Sequence, residues 1–312
     1  MDERTASAPL QSRSALNRQR APRLARIGVL WLVAALGQAV HADALGVKAN
    51  VHHVFEIGSI SKQFTAYAIL ILRDQGKADL DAPLGRYLPE LPGARAKVTM
   101  HRLLTYTSGL PDLEVAFGYG IYRETPSDAD FLRRLTALPI AFEPGDKWSY
   151  SNTNYWLLAL VIERIAGTPY ADFMQRNIFV PLEMTSTRAA LPSQVLRARA
   201  AGYRLGPRLE NRDATQAHTG RGLGDIASTL SDMAKWEREQ LVPRLLSASA
   251  AALSRQPVEL NDGKREPYGY GWSTEKILPV ASVQHDGQTA GFSAVYQTLL
   301  GQRHFQLYQL CG

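Results

Sequence analysis

The order of apolar patterns along the chain constrains its fold more than any other feature. Strand patterns collect toward the C-terminal end, with one more segment near residue 50; they lie at residues 51–57, 269–274, 277–284, 292–300 and 304–310. Helical patterns fill the middle, at residues 59–75, 99–105, 153–166, from 168 onward and at 228–241. This order predicts an α+β fold with a helical insertion at about residues 86–261 and a site where the two parts meet.

The first 44 residues have the pattern of a secretory signal peptide. Six arginines against three acidic residues lead into an apolar run at 27–36 and then into the small-residue sequence ADA at 42–44. The run is shorter than the roughly 20 residues that a membrane-spanning helix needs. We therefore predict a signal peptide at 1–44, a functional domain at 45–312, a periplasmic or secreted location, and membrane contact only through the export signal.

Charge and composition exclude several function classes. Of the formal net charge of +6, the leader supplies +3, so the basic pI gives little support for nucleic-acid binding. The only cysteine, Cys311, cannot form an internal disulfide and lies far from every motif. The seven histidines lack metal-ligand spacing, so we predict neither a metal nor another cofactor.

Ser59 and Lys62 form the first candidate catalytic pair. Their i, i+3 spacing places both side chains on one helix face, with β-carbons about 5–6 Å apart. A desolvated lysine of lowered pKa can take the hydroxyl proton of a serine, and a helix N-terminus favours a developing oxyanion.

Spacing alone does not establish this pair as catalytic. Ser273 and Lys276 repeat it in a strand-like region, where i and i+3 side chains point to opposite faces. Serine is also a common helix cap, which is the alternative interpretation of Ser59.

Two further stretches place polar residues on loops. Tyr150 and Asn152 stand immediately before a predicted helix, where a buried tyrosine and a helix cap are the alternative interpretation. His285, Gly287 and Gln288 follow a predicted strand at the start of a turn, where glycine lets backbone approach a ligand. A plain polar turn is the alternative there.

Together these stretches resemble the serine β-lactamase and penicillin-binding-protein superfamily, in particular its class C β-lactamase-like branch. The resemblance implies a β-lactamase/transpeptidase-like fold, an antiparallel sheet flanked by helices plus a mainly helical lobe, with residues 45–312 as its catalytic domain. The matching motifs occur in the order typical of the family: FEIGSISKQFTA (55–66), LLTYTSGLP (103–111), YSN (150–152), YGYGW (268–272) and HDG (285–287).

The resemblance implies catalytic roles for three residues. Ser59 is the nucleophile that forms an acyl-enzyme. Lys62 and Tyr150 share the proton transfers, and the Lys62 ammonium supports an ionised Tyr150, whose pKa is otherwise about 10.

It also implies substrate-binding roles. Asn152 would orient the substrate and Lys62. His285 and Gly287 would line the site on a strand edge. The backbone N–H groups of Ser59 and Gln288 would form the oxyanion hole. The implied substrates are small esters, peptides or β-lactams, and the sequence leaves the oligomeric state open. Many β-lactamases of this branch carry lysine where this chain has His285, which is mostly neutral at physiological pH. We therefore expect weak carboxylate recognition.

The ends of the chain are short for this family. Residues 45–58 suffice for one strand, and the 25 residues after Gly287 leave no room for two strands and a long helix. The terminal sheet elements are therefore expected to be incomplete. A truncated or inactive relative that binds peptides, or a non-functional fragment, is the alternative to an enzyme; an α/β-hydrolase is disfavoured because no G-x-S-x-G motif occurs.

Overall fold

The strands form one three-stranded sheet and three short pairs. In a computed structural model, the structure describes residues 48–124, 126–189, 195–205, 209–212, 220–275, 282–299 and 304–310. The strands are β1 (Phe55–Glu56), β2 (Gly202–Leu205), β3 (Leu209–Arg212), β4 (Ala227–Ser228), β5 (Val258–Glu259), β6 (Arg265–Glu266), β7 (Ser282–Thr289), β8 (Phe292–Leu299) and β9 (His304–Leu310). The sheet runs antiparallel in the order β7-β8-β9, and the pairs are β1-β4, β2-β3 and β5-β6.

The helices lie mainly between β1 and β5, which confirms the predicted α+β class. The α-helices of the described residues are α1 (Ser61–Asp74), α2 (Gly93–Lys97), α3 (Met100–Leu104), α4 (Leu113–Phe117), α5 (Asp128–Ala137), α6 (Asn152–Ala166), α7 (Tyr170–Met174), α8 (Leu230–Leu241) and α9 (Ala248–Ser254). The insertion bounds at about 86–261 and the domain bounds stay predictions. The signal peptide, Cys311 and Lys276 lie outside the described residues.

Helix α1 is the buried centre of the fold. Every residue from Ser61 to Leu72 is buried, and a helix that is buried all round needs partners on every side. On one side, the Phe64 ring stacks on Trp236 of α8 at a centroid distance of 4.0 Å. The prediction of a helix at 59–75 is confirmed, except that its first turn, Gly58–Ile60, is a 3-10 turn. Gly76 follows the helix with a φ of 69°, as a glycine at a helix end should.

Helix α6 is the second buried element. It begins at Asn152, one residue before the predicted start, and ends at Gly167, whose left-handed conformation stops it as predicted. Trp156 stacks on Phe131 of α5 at 3.8 Å. Because α6 starts two residues after Tyr150, its buried position fixes the loop that carries that tyrosine.

Three predicted strands differ from the structure, and of residues 51–57 only Phe55–Glu56 form a strand. Residues 269–274 form only single bridges, because Gly271 has a φ of 76° and packs against the backbone of Lys62 instead of extending. Strand β7 continues to Thr289, so the HDG motif lies inside a strand and the turn falls at Ala290 and Gly291. The predicted polar turn at residue 285 is therefore wrong: all eight residues of β7 pair with β8.

Helix starts were predicted to within two residues. Helix α8 is capped by Thr229, whose side chain accepts from the backbone N–H of Asp232. Pro169 precedes α7 as its cap residue. No helix among the described residues is both long and apolar enough to cross a membrane.

Candidate active site

Ser59 lies at the junction between the 3-10 turn and α1, half-buried, with its hydroxyl facing a cavity. Its Oγ accepts two hydrogen bonds of 2.8 Å, from Nζ of Lys62 and from Oη of Tyr150. The structure therefore brings together the three residues that the sequence assigned to catalysis. Their catalytic roles stay predictions at this point.

Lys62 is fully buried beside the serine. Its Nζ also donates to the carbonyl oxygen of Leu223 at 2.7 Å. Burial lowers the pKa of Lys62 to about 7, although the carboxylates of Asp112 and Glu114 oppose the shift. A large fraction of Lys62 is therefore neutral at neutral pH, with a lone pair that can accept the Ser59 proton.

Tyr150 provides a hydrogen-bond donor where the sequence predicted an ionised group. Burial of its hydroxyl raises the pKa of Tyr150 well above its ordinary value, although 37% of the residue remains exposed. Nζ of Lys62 lies 5.0 Å from the ring centroid, and this contact does not reverse the effect of burial. Burial therefore favours a protonated Tyr150, whereas the resemblance implies an ionised one; the catalytic role of Tyr150 stays a prediction.

Asn152 is anchored away from Lys62. Its backbone N–H donates to Asp112 and its Nδ2 to Glu114, both at 2.6 Å, and its Oδ1 lies 3.5 Å from Oη of Tyr150. No hydrogen bond joins Asn152 to Lys62 in the described part of the chain; the Leu223 carbonyl holds the amine instead. Asn152 lines the cavity, as its substrate-binding assignment requires.

Strand β7 packs its backbone against the turn that carries Ser59. A β-carbon on Gly58 would lie 2.5 Å from the backbone nitrogen of Gln288. A β-carbon on Gly287 would collide with the carbonyl of Ile57 and lie 3.0 Å from the backbone nitrogen of Ser59. Glycine at both positions therefore permits the close approach of the two proposed oxyanion-hole donors, the N–H groups of Ser59 and Gln288.

His285 lies behind the cavity, not in its lining. The side chain is buried, with Nδ1 2.6 Å from the Asp286 carbonyl and Nε2 3.0 Å from Oη of Tyr268. Because a carbonyl only accepts, Nδ1 carries the proton and Nε2 accepts from Tyr268. Burial, assisted by Lys62, lowers the pKa of His285 to about 4, so the ring is neutral at pH 7. The structure thus places the ring one layer behind the cavity lining, and the substrate-binding role of His285 stays a prediction.

The cavity above Ser59 has a volume of about 620 Å³. Besides Ser59, Tyr150, Asn152 and Gln288, its lining includes the residues Glu114, Tyr119, Tyr203, Arg204, Arg212, Leu223, Asp286 and Phe292. Among the described residues, no group of three histidine, cysteine, aspartate or glutamate side chains is placed to hold a metal ion.

Several of these residues escaped the sequence analysis. The run GRGLG at 220–224 could have indicated Leu223, because glycines mark places where the backbone approaches a neighbour closely. Asp112, which caps α4 through the backbone N–H of Glu114, could have been found as an N-cap before an apolar residue. Asp286 lies within the HDG motif, but the sequence does not show that its side chain, and not that of His285, faces the cavity.

The fold and the arrangement of this site are of the β-lactamase/transpeptidase type. The chain belongs to the Beta-lactamase family, whose model matches residues 15–303. It is 30% identical over 289 residues to penicillin-binding protein 4* of Bacillus subtilis, covering 87% of this chain but only 63% of that relative's length.

Two solved structures share the fold. The D-stereospecific amidohydrolase from Streptomyces sp. is 26% identical with a TM-score of 0.72, covering 83% of this chain and 82% of that one. The D-amino acid amidase from Ochrobactrum anthropi SV3, complexed with D-phenylalanine, is 23% identical with a TM-score of 0.75, covering 86% and 80%. These likenesses confirm the β-lactamase/transpeptidase-like fold.

Proposed function

We propose that this protein is a serine acyl hydrolase that works through an acyl-enzyme on Ser59. The observation that carries the proposal is the hydroxyl of Ser59, hydrogen-bonded at 2.8 Å to a buried lysine whose pKa is lowered to about 7. Serine is a weak nucleophile unless such a base removes its proton, and burial is the means by which a lysine becomes that base at neutral pH.

Acylation follows from the geometry. Neutral Lys62 takes the Ser59 proton as Oγ attacks the acyl carbon, and the N–H groups of Ser59 and Gln288 stabilise the oxyanion. Lys62, now charged, returns the proton to the leaving amine or alcohol through the hydroxyl of Tyr150, which lies 2.8 Å from Oγ. The acyl group stays on Ser59.

Deacylation uses the same residues in reverse. Lys62, neutral again, accepts a proton from a water molecule that attacks the acyl carbon. The second tetrahedral intermediate then collapses, the acid product leaves, and Lys62 returns the proton to Oγ of Ser59. Tyr150 acts as a donor and relay, because burial keeps it protonated.

The proposed substrates are small amides, peptides or esters, of the type handled by D-alanyl-D-alanine carboxypeptidases, esterases and β-lactamases. Relatives named as a penicillin-binding protein and as a D-stereospecific amidohydrolase support an amide or peptide bond. A neutral, buried His285 in place of a lysine favours simple amides or esters over carboxylate-bearing β-lactams.

Intact-mass analysis after treatment with an uncharged fluorophosphonate tests the nucleophile. The wild type should gain one adduct, and Ser59→Ala should gain none. Ser273→Ala is the matched control, since Ser273 has the same spacing to a lysine and should leave the adduct in place. An adduct on Ser59→Ala, or none on the wild type, rules out Ser59 as the activated serine.

Export is the second part of the proposal, supported by the arginine-rich leader, the apolar run at 27–36 and the ADA sequence at 42–44. Expressed in a bacterium with a periplasm, the chain should appear outside the cytoplasm with residues 1–44 removed, as measured by fractionation and N-terminal mass. Leu32→Arg, which interrupts the apolar run, should leave the uncleaved chain in the cytoplasm. Full-length wild-type chain confined to the cytoplasm contradicts export.

A further inference from the structure

Strand β7 presents the exposed polar residues Asp286 and Gln288 to the cavity, next to Thr289 at its end. Along β7, His285 and Gly287 are buried whereas Asp286 and Gln288 are exposed, as the alternation of a strand requires. Both exposed residues line the cavity that contains Ser59. The strand therefore directs a carboxylate into the space where a substrate must lie.

Asp286 stands next to the point of attack. Its neighbour Gly287 packs on the backbone of Ile57 and Ser59, so Asp286 and Gln288 flank the contact between β7 and the nucleophile turn. Two residues apart on a strand, their α-carbons are about 7 Å from each other. When the carbonyl oxygen of a substrate occupies the oxyanion hole formed with the Gln288 N–H, the adjoining part of that substrate lies beside Asp286.

The Asp286 carboxylate has no salt-bridge partner in the described ranges of the chain. Asp112 and Glu114, in contrast, accept hydrogen bonds from Asn152. Lys62, the nearest buried amine, is engaged by Ser59 and by the Leu223 carbonyl. The charge of Asp286 is therefore available to a bound molecule.

Positive charge lies on a different part of the cavity wall. Arg204 and Arg212 belong to the β2-β3 hairpin, and Arg204 is already paired with Glu210. A β-carbon on Gly291 would meet the backbone of Gly202, so this hairpin packs on the turn beyond the end of β7. The cavity is negative beside Ser59 and positive toward the turn.

We propose that Asp286 determines which substrate charge is preferred, because its carboxylate binds a cationic ammonium next to the scissile carbonyl. The favoured substrates are amides or esters with a free amine at this position, and those with a carboxylate there are rejected. The inference rests on the proposed acyl-enzyme function, because it concerns the same cavity. Attraction between opposite charges in a partly exposed pocket should raise the rate for an ammonium substrate about tenfold over that for a carboxylate substrate.

Three alkyl fluorophosphonates of equal length, ending in a primary ammonium, a hydroxyl or a carboxylate, measure this preference directly. The rate of adduct formation on Ser59 is followed by intact mass for each probe. In the wild type the ammonium probe should label about tenfold faster than the carboxylate probe, and added salt should reduce that ratio. This salt series needs no variant and so does not depend on how a variant folds.

Substitutions then assign the preference to one residue. Asp286→Asn should bring the ammonium-to-carboxylate ratio close to one, Asp286→Lys should invert it, and Asp286→Glu should retain it. Asp172→Asn, an exposed aspartate of α7 outside the cavity, is the matched control and should leave the ratio unchanged.

The outcomes separate the two proposals. If all probes label the wild type and the ratio is the same in Asp286→Asn, the role of Asp286 is wrong while the acyl-enzyme function stands. A wild-type ratio near or below one overturns the role of Asp286 in the same way. If no probe labels Ser59 in the wild type, the proposed function itself fails and the inference about Asp286 falls with it.

Discussion

Nζ of Lys62 lies 2.8 Å from Oγ of Ser59 and 2.7 Å from the carbonyl oxygen of Leu223, within a site where the lysine has no exposed surface. The charged amine donates to both oxygens; in the neutral amine one N–H can satisfy the carbonyl while the lone pair turns to the Ser59 hydroxyl. The arrangement fits a base better than a permanent cation, because no carboxylate forms a salt bridge with Lys62 among the described residues. The neighbouring carboxylates act on it only at longer range.

The pH dependence of acylation should follow Lys62. Because only neutral Lys62 can accept the serine proton, labelling by an uncharged fluorophosphonate should rise with pH and level off above an apparent pKa of about 7. His285 does not titrate in this window, since its pKa is lowered to about 4. A labelling rate that stays constant from about pH 5.5 to about pH 8.5 contradicts Lys62 as the base.

Lys62 should also make stability depend on pH. Unfolding returns its pKa from about 7 to 10.5, so between these values the unfolded chain binds more protons and stability rises with pH. Relative to Lys62→Met, the free energy of unfolding of the wild type should rise by about 1.4 kcal/mol for each pH unit above about 7. Urea unfolding of both proteins between about pH 6 and about pH 9 measures this difference. A flat difference shows that Lys62 is not desolvated.

Tyr150→Phe should slow the reaction without loosening the fold. The change removes the donor to Ser59 Oγ but keeps the ring, which packs on Tyr106 at a centroid distance of 4.6 Å. We expect labelling and turnover to fall by about 10²–10⁴-fold, the usual range for a lost proton-transfer group. The urea midpoint should stay close to that of the wild type. A loss of less than threefold excludes the relay role.

Gly287→Ala should separate the oxyanion-hole donors. The added β-carbon collides with the Ile57 carbonyl, so β7 must move away from the Ser59 turn. Overpacking of this kind destabilises by about 1–3 kcal/mol, and loss of one oxyanion-hole donor lowers turnover by about 10²–10³-fold.

Gly120→Ala is the control for this change, because a β-carbon there meets nothing within 4 Å. Stability from urea unfolding and labelling rates should be measured on both variants. If Gly287→Ala behaves like Gly120→Ala, strand β7 does not form the oxyanion hole.

Local sequence patterns predicted the two long buried helices well, and the structure places the three candidate catalytic side chains, Ser59, Lys62 and Tyr150, together at their starts. Helix α1 and helix α6 have long apolar patterns followed by a glycine. The motifs around Ser59 and Tyr150 lie at the N-terminal ends of these helices. The apolar period of a long helix is enough to predict its conformation, so little information from the rest of the chain is needed.

The sheet side of the site was predicted less well. The HDG motif contains aspartate and glycine, which are typical of turns, yet pairing with β8 keeps it extended. The burial of His285 and the exposure of Asp286 both follow from that register, which no local pattern specifies. The shifted pKa values of Lys62 and Tyr150 likewise depend on burial, and the Leu223 carbonyl that holds Lys62 is distant in sequence, so both are visible only in the folded chain.

The close packing of β7 on the Ser59 turn has a consequence for when the protein becomes active. Ser59 and its lysine leave the ribosome well before Gly287 and Gln288, because the intervening helices are made between them. Contacts so far apart in sequence close late in folding. The proposed nucleophile therefore lacks its second proposed oxyanion-hole donor until strand β7 has been made and packed, and we expect a growing chain that ends before β7 to be inactive.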